Sequence, residues 1–229
     1  MRNAWVWVAL GLAAAPAAAG TVRLEADRDA TLIESAVGDR ANGAGPVFFA
    51  GRTAASTDAV RRALVRFDIA NALPEQAVVE RVALTLSMTP SNPDPRTLHL
   101  HRVQADWGEG PSFASGGGGA AAGPGDVTWL HAFYEAHEWV QPGGQFLGRA
   151  SAELEVAASA AYTWGGTEQM RADVTLWAAA PERNFGWILL GDETAIQSSK
   201  SFASREHPDA ILRPVLEITY RLPGDPPEP

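Results

Sequence analysis

From about residue 21 onward, apolar side chains recur at every second position in short stretches, and Gly, Pro, Asn and Asp interrupt those stretches before any helical repeat accumulates. A chain patterned this way folds into strands. In 62–69, Ala63, Val65, Phe67 and Ile69 share one face, while Arg62, Arg66 and Asp68 share the other around a lone apolar Leu64. That is the pattern of a half-buried strand. The next run sets Val82, Leu84, Leu86 and Met88 against Arg81, Thr85 and Ser87 before the Pro90 and Pro95 region forces a turn. Leu98 and Leu100 begin another strand.

The 185–190 stretch is almost continuously apolar and reads as a central strand. Leu212, Leu216, Ile218 and Tyr220 alternate with Arg213, Glu217 and Thr219 as a closing strand. Further strands are predicted at 22–26, 31–35, 47–50, 154–157, 161–164 and 199–204. About nine or ten short strands point to an all-β, jelly-roll-like two-sheet β-sandwich. One short helix is predicted at 173–180, where Val174, Leu176 and Trp177 share a face and Pro181 ends the segment.

The first twenty residues read as a secretory signal peptide. A single basic residue, Arg2, precedes an apolar run from Ala4 to Ala15, followed by Pro16 and the small residues Ala17, Ala18 and Ala19. Cleavage after Ala19 or Gly20 fits this pattern, and no second apolar stretch approaches the ~20 residues a bilayer span needs. Residues 21–222 read as one large domain with an irregular glycine-rich loop at 108–126, and 223–229 as a disordered Pro-rich tail. The expected location is secreted or on the cell surface.

Formal charge is -9, and it becomes -10 once Arg2 leaves with the leader. Long-range attraction to nucleic acid or anionic lipid is therefore not expected. There is no cysteine, which removes disulfides, thiol catalysis and Cys-based zinc sites.

Residues that carry chemistry are sparse. His99 and His101 sit two apart on a predicted strand and point from one face. They need a third ligand from His131, His137 or His207 to hold a metal ion. With Leu98 and Leu100 on the opposite face, a polar outer face accounts for both, and no metal is expected there. No G-x-S-x-G occurs in the chain, and Glu135, His137 and Glu138 read as a solvated loop rather than a hydrolytic site. Gly116 to Gly119 lacks the Lys-Ser/Thr that follows a phosphate cradle, and it reads as a flexible loop. No cofactor is implied, although a calcium ion bracing the sandwich stays open.

More telling is a set of aromatics near loops: Trp107, Trp129, Phe133, Tyr134, Trp139 and Trp164. Sugar rings present flat C–H faces that stack on such side chains. The competing reading for each ring is that it caps the core at an end of the sandwich. Trp107, Trp129, Tyr134 and Trp139 are the expected ligand-binding residues. Trp139 leads, because it precedes a Pro142-Gly143-Gly144 turn.

Several segments occur in a set order: RRALVRFD ending at Asp68, LHLHRVQADWGEG at 98–110, VTWLHAFY at 127–134, EWVQPGG at 138–144, NFGWILLGDE at 184–193 and KSFASREHPDAILRPVLEITY at 200–220. Together they resemble a DNRLRE-type domain, related to family 96 carbohydrate-binding modules, over about 21–220. The literal DNRLRE string is absent. The resemblance implies a β-jelly-roll of bacterial and archaeal surface or secreted proteins, some of which bind acidic polysaccharide such as alginate. It carries over no ligand set, and Arg205 and Glu206 in its SREHP stretch read as a fold-fixing pair. The expected function is a noncatalytic extracellular carbohydrate-binding or matrix/adhesion module whose partner is a polysaccharide or cell-surface polymer. A purely structural surface module is the alternative, and a polysaccharide-degrading enzyme the third.

Overall fold

The computed structural model describes residues 20–224. The expected leader up to residue 19 and residues 225–229 of the tail lie outside the described residues. The chain runs through β1 (Gly20–Glu25), β2 (Arg28–Ile33), β3 (Arg40–Ala41), β4 (Val47–Arg52), β5 (Val60–Arg66), β6 (Val78–Ser87), β7 (Arg96–Val103) and β8 (Ala120–Ala121). It continues through β9 (His131–Phe133), β10 (His137–Glu138), β11 (Phe146–Val156), β12 (Ala161–Gly165), α1 (Glu168–Ala179), β13 (Trp187–Leu190), β14 (Lys200–Ala203) and β15 (Val215–Arg221).

The fold is an all-β sandwich of antiparallel sheets with one helix. A four-stranded sheet has the order β1-β15-β6-β12, and a larger one has the order β11-β7-β13-β5-β4-β14 with β2 also paired to β5. The core between them follows the alternation. Val82, Leu84 and Leu86 of β6 and Leu216 and Ile218 of β15 meet Ala63 and Val65 of β5, Leu98 and Leu100 of β7, and Phe48 and Phe202.

The 185–190 run is central as expected, with its strand at β13 between β7 and β5. Trp187 and Leu189 enter the inter-sheet core, whereas Ile188 joins a second core on the outer face of the large sheet. Leu64 of β5 joins the same second core. The strand at 62–69, expected to be half-buried, is thus covered on both faces. Trp107, Val127, Ala132 and Trp139 from the excursion between β7 and β11 form the cover. Full burial of a large apolar side chain is worth about 1.5–3 kcal/mol, so this outer layer is part of the folding unit.

The helix begins five residues earlier than the pattern predicts. Thr167 caps it by accepting the Met170 N–H on its hydroxyl, and the buried stripe becomes Met170, Val174 and Trp177 rather than Val174, Leu176 and Trp177. The closing strand starts at Val215 instead of Leu212, because Ala210–Leu212 forms a 3-10 turn and Pro214 has no N–H for the ladder. The glycine-rich stretch at 108–126 is irregular but held. Asp126 is fully buried and accepts the Gly123 N–H at 2.7 Å and the Ser112 N–H at 3.1 Å, while Ala120–Ala121 pairs with Arg40–Ala41.

Candidate functional site

The aromatics expected to bind ligand are mostly spent on packing. Trp107 has no exposed surface, its Nε1 donates to the Phe185 carbonyl at 2.9 Å, and the Arg28 guanidinium lies 5.0 Å from its ring centroid. Trp139 is 6 % exposed and donates to the Thr128 carbonyl at 3.0 Å. Neither ring offers a face to a sugar, which corrects the expectation for both. Trp129 is half-buried, with Arg62 stacked 4.8 Å from its ring. That guanidinium is itself fixed by Glu193 at 2.7 Å and by the Gly143 carbonyl at 2.7 Å. Tyr134 stays partly open, its ring meeting His131 edge-on at 5.4 Å.

The histidines do not converge. His101 Nδ1 bonds the Leu147 carbonyl at 2.8 Å, and burial lowers its pKa. His99 faces Glu153 at 3.4 Å, His131 bonds Thr128, His207 bonds within its own turn, and His137 is exposed beside Phe133. Glu135 and Glu138 are exposed as well.

Among the described residues the acidic groups that do converge are Asp29, Glu109 and Glu206, whose nearest carboxylate oxygens lie within 4.8 Å of one another. Arg205 occupies this cluster. Its Nε and Nη2 donate to the two oxygens of Glu109, each at 2.7 Å, and Nε lies 2.9 Å from Glu206. Its backbone N–H donates to Asp29 Oδ2 at 2.7 Å, and the Asp29 N–H donates to Glu109 Oε1 at 2.8 Å. Burial raises the Asp29 pKa well above the usual carboxylate range, opposed by the Arg205 amide, and burial likewise raises that of Glu206. Bonds to Glu109 raise that of Arg205. The cluster clamps β2, the stretch after β7 and the stretch after β14 to one another. Arg205 pairs through it with Glu109 as well as with its expected partner Glu206.

A different place in the fold offers an open groove without charged side chains. On β4, Phe48 and Ala50 point into the core, so Val47 and Phe49 point outward. The β4–β14 register sets Phe202 against Phe48 on the inside, with ring centroids 6.0 Å apart, and Ser201 against Phe49 on the outside. The outward pair forms the floor of a groove of about 520 Å³. The 89–92 stretch, the 115–117 stretch, and Thr53, Gln197 and Ser199 complete its lining. None of these side chains is ionisable.

The walls are held from outside the groove. Thr89 donates through its N–H to the Ser201 carbonyl at 2.8 Å and its hydroxyl lies 2.7 Å from Ser201 Oγ, so the chain after β6 seals the free edge of β14. Lys200 points away from the groove and is fully buried. Its Nζ donates to the Asn92 and Asp94 carbonyls at 2.5 and 2.6 Å, and burial lowers its pKa. Arg61 is 5 % exposed. It donates to the Gly117 carbonyl from Nε and to the Asp58 and Val60 carbonyls from Nη1, and burial lowers its pKa too. Asn42 accepts the Ala114 N–H at 3.0 Å and donates to the Val47 carbonyl at 3.0 Å. The glycine segment expected to be flexible is thus anchored over the sheet. Ser199 Oγ is buried in the groove wall with no hydrogen-bond partner among the described residues.

Sequence reasoning passed over Phe49. The available signal was the Phe48-Phe49 pair on a predicted strand, since alternation sends one of two adjacent rings outward. No family model matches this chain, and no curated protein matches it. The functional reading therefore rests on the groove.

Proposed function

We propose that this protein is a noncatalytic carbohydrate-binding module that works outside the cell, with the groove over Phe49 as its site. One observation carries the reading: an outward aromatic ring lies beside Ser201 in a groove whose remaining polar groups are hydroxyls and amides, with no charged side chain in the lining. A sugar ring stacks its C–H face on an aromatic and exchanges hydrogen bonds with neutral donors and acceptors around its rim.

The test is binding of the full chain to immobilised neutral and acidic polysaccharides, alongside Phe49→Ala with its fold checked by circular dichroism. The expected result is retention on at least one neutral polymer and a loss of about tenfold or more in affinity for the variant. Equal affinity in both folded proteins removes the groove from consideration. No binding to any polymer favours the second reading, a structural surface module. That reading is supported by the commitment of Trp107, Trp129 and Trp139 to packing.

A further inference from the structure

The Phe49 groove does not end at the glycine segment. It shares Ser115 and Gly116 with a shallower groove of about 410 Å³ beside Phe113. That groove shares Gly118 and Gly119 with a third, of about 720 Å³, lined by Glu34, Asp39 and Asp58 among others. Phe113 is 62 % exposed although the backbone on both sides of it is fixed, Ser112 by Asp126 and Ala114 by Asn42. Its ring is held out toward solvent by a tethered backbone. Between the two phenylalanines, Gly117 packs against the Phe49 ring, where an added Cβ would come within 3.7 Å, while a Cβ added at Gly116 or Gly118 would meet nothing within 4 Å and point into open space.

Resting on the carbohydrate-binding reading above, we infer that the site takes an internal stretch of an extended, neutral polysaccharide, which crosses from a subsite on Phe49 over the glycine segment to a second subsite on Phe113. Two rings separated by a stretch of glycines and the small side chains of Ala114 and Ser115 suit a chain lying along the track better than a single sugar residue. The charge beyond Phe113 selects against a polyanion. Three carboxylates line that end, and one of its two cations, Arg61, is buried and engaged with backbone carbonyls. The acidic polymer implied by the family resemblance is therefore not the class this track fits.

The experiment is calorimetric titration of the full chain with cello-, manno- and malto-oligosaccharides from disaccharide to octasaccharide, with alginate oligomers as the acidic comparison. In the series that binds, affinity should keep rising beyond the trisaccharide. Phe113→Ala should lower affinity for the long oligomers about tenfold and leave the short ones unchanged, whereas Phe49→Ala weakens every length. Gly118→Leu places a side chain between the Phe113 groove and the third one, outside the Phe49 groove, and should reproduce the Phe113→Ala pattern with the thermal melt unchanged. Affinity that stops rising at the disaccharide, or long-oligomer binding indifferent to Phe113→Ala, overturns the extended track while leaving the Phe49 site in place. Tighter binding of alginate overturns the neutral class. No binding of any oligomer overturns the carbohydrate reading together with this inference.

Discussion

Lys200 Nζ donates to the Asp94 carbonyl at 2.6 Å from beneath the groove, while its neighbours Ser199 and Ser201 line the groove from the other side of the same strand end. The chain's one lysine is a buried tether that fixes the 92–94 rim through backbone oxygens alone.

Lys200→Met leaves the Asn92 and Asp94 carbonyls without their donor, and an orphaned buried acceptor costs about 1–3 kcal/mol. Urea denaturation should register that loss. The pH dependence has a definite sign. Burial lowers the folded pKa below the ordinary lysine value, so in the window between the two the unfolded chain binds more protons. Stability therefore rises with pH across that window in the parent and not in Lys200→Met. Identical slopes in the two proteins contradict the assignment.

Arg61 holds the glycine segment through the Gly117 carbonyl. Arg61→Met should free that segment while the inter-sheet core stays intact. Hydrogen exchange should quicken at the 114–119 amides with little change at β6 and β15, and affinity for whatever glycan binds should fall. Unchanged protection at 114–119 means the loop is fixed by Asn42 and Asp126 without Arg61.

Trp107 is a core residue. Trp107→Ala should destabilise the fold by about 3–5 kcal/mol, as large-to-small core substitutions do. Any protein that remains folded should keep its polysaccharide affinity, in contrast to Phe49→Ala. Loss of binding at unchanged stability restores Trp107 to the site.

Asp29 carries a pH signature of the opposite sense to Lys200. Its folded pKa is raised by burial, so the stability it contributes is complete below the unfolded carboxylate value and is lost as pH rises through the folded one. Asp29→Asn keeps an oxygen for the Arg205 N–H and cannot ionise. Denaturation midpoints between about pH 4 and about pH 8 should therefore fall less steeply with rising pH in the variant. A variant as steep as the parent shifts the effect to Glu206, whose pKa is raised as well.

The long alternating strands were legible because alternation is a local property, whereas the short β3, β8, β9 and β10 and the 146–153 part of β11, read only at 154–157, carry no such pattern and were missed. Val82, Leu84 and Leu86 face the core whatever they pair with, and the continuous run around Ile188 had to be covered on both sides. Leu64 was the available hint of the second face, since one apolar residue among Arg62, Arg66 and Asp68 looks like an exception until Trp107 and Trp139 are laid over it. The helix start depended on a cap at Thr167, a weaker local signal than the apolar stripe beyond it.

The site belonged to the other class of information. An aromatic beside a loop reads the same whether it seals the outer core, as Trp139 does, or faces solvent. Burial is decided by what arrives from elsewhere in the chain. Phe49 meets Ser201 across the β4–β14 register, and the wall between them and the solvent comes from a glycine segment that Arg61, Asn42 and Asp126 tie down. The sequence by itself determined the all-β class and the inward faces of the alternating strands, because a two-residue period needs only neighbouring positions. Only the tertiary structure decided which rings are spent on packing and which line a groove, because pairing register and long-range hydrogen bonds join residues whose spacing along the chain leaves no periodic trace.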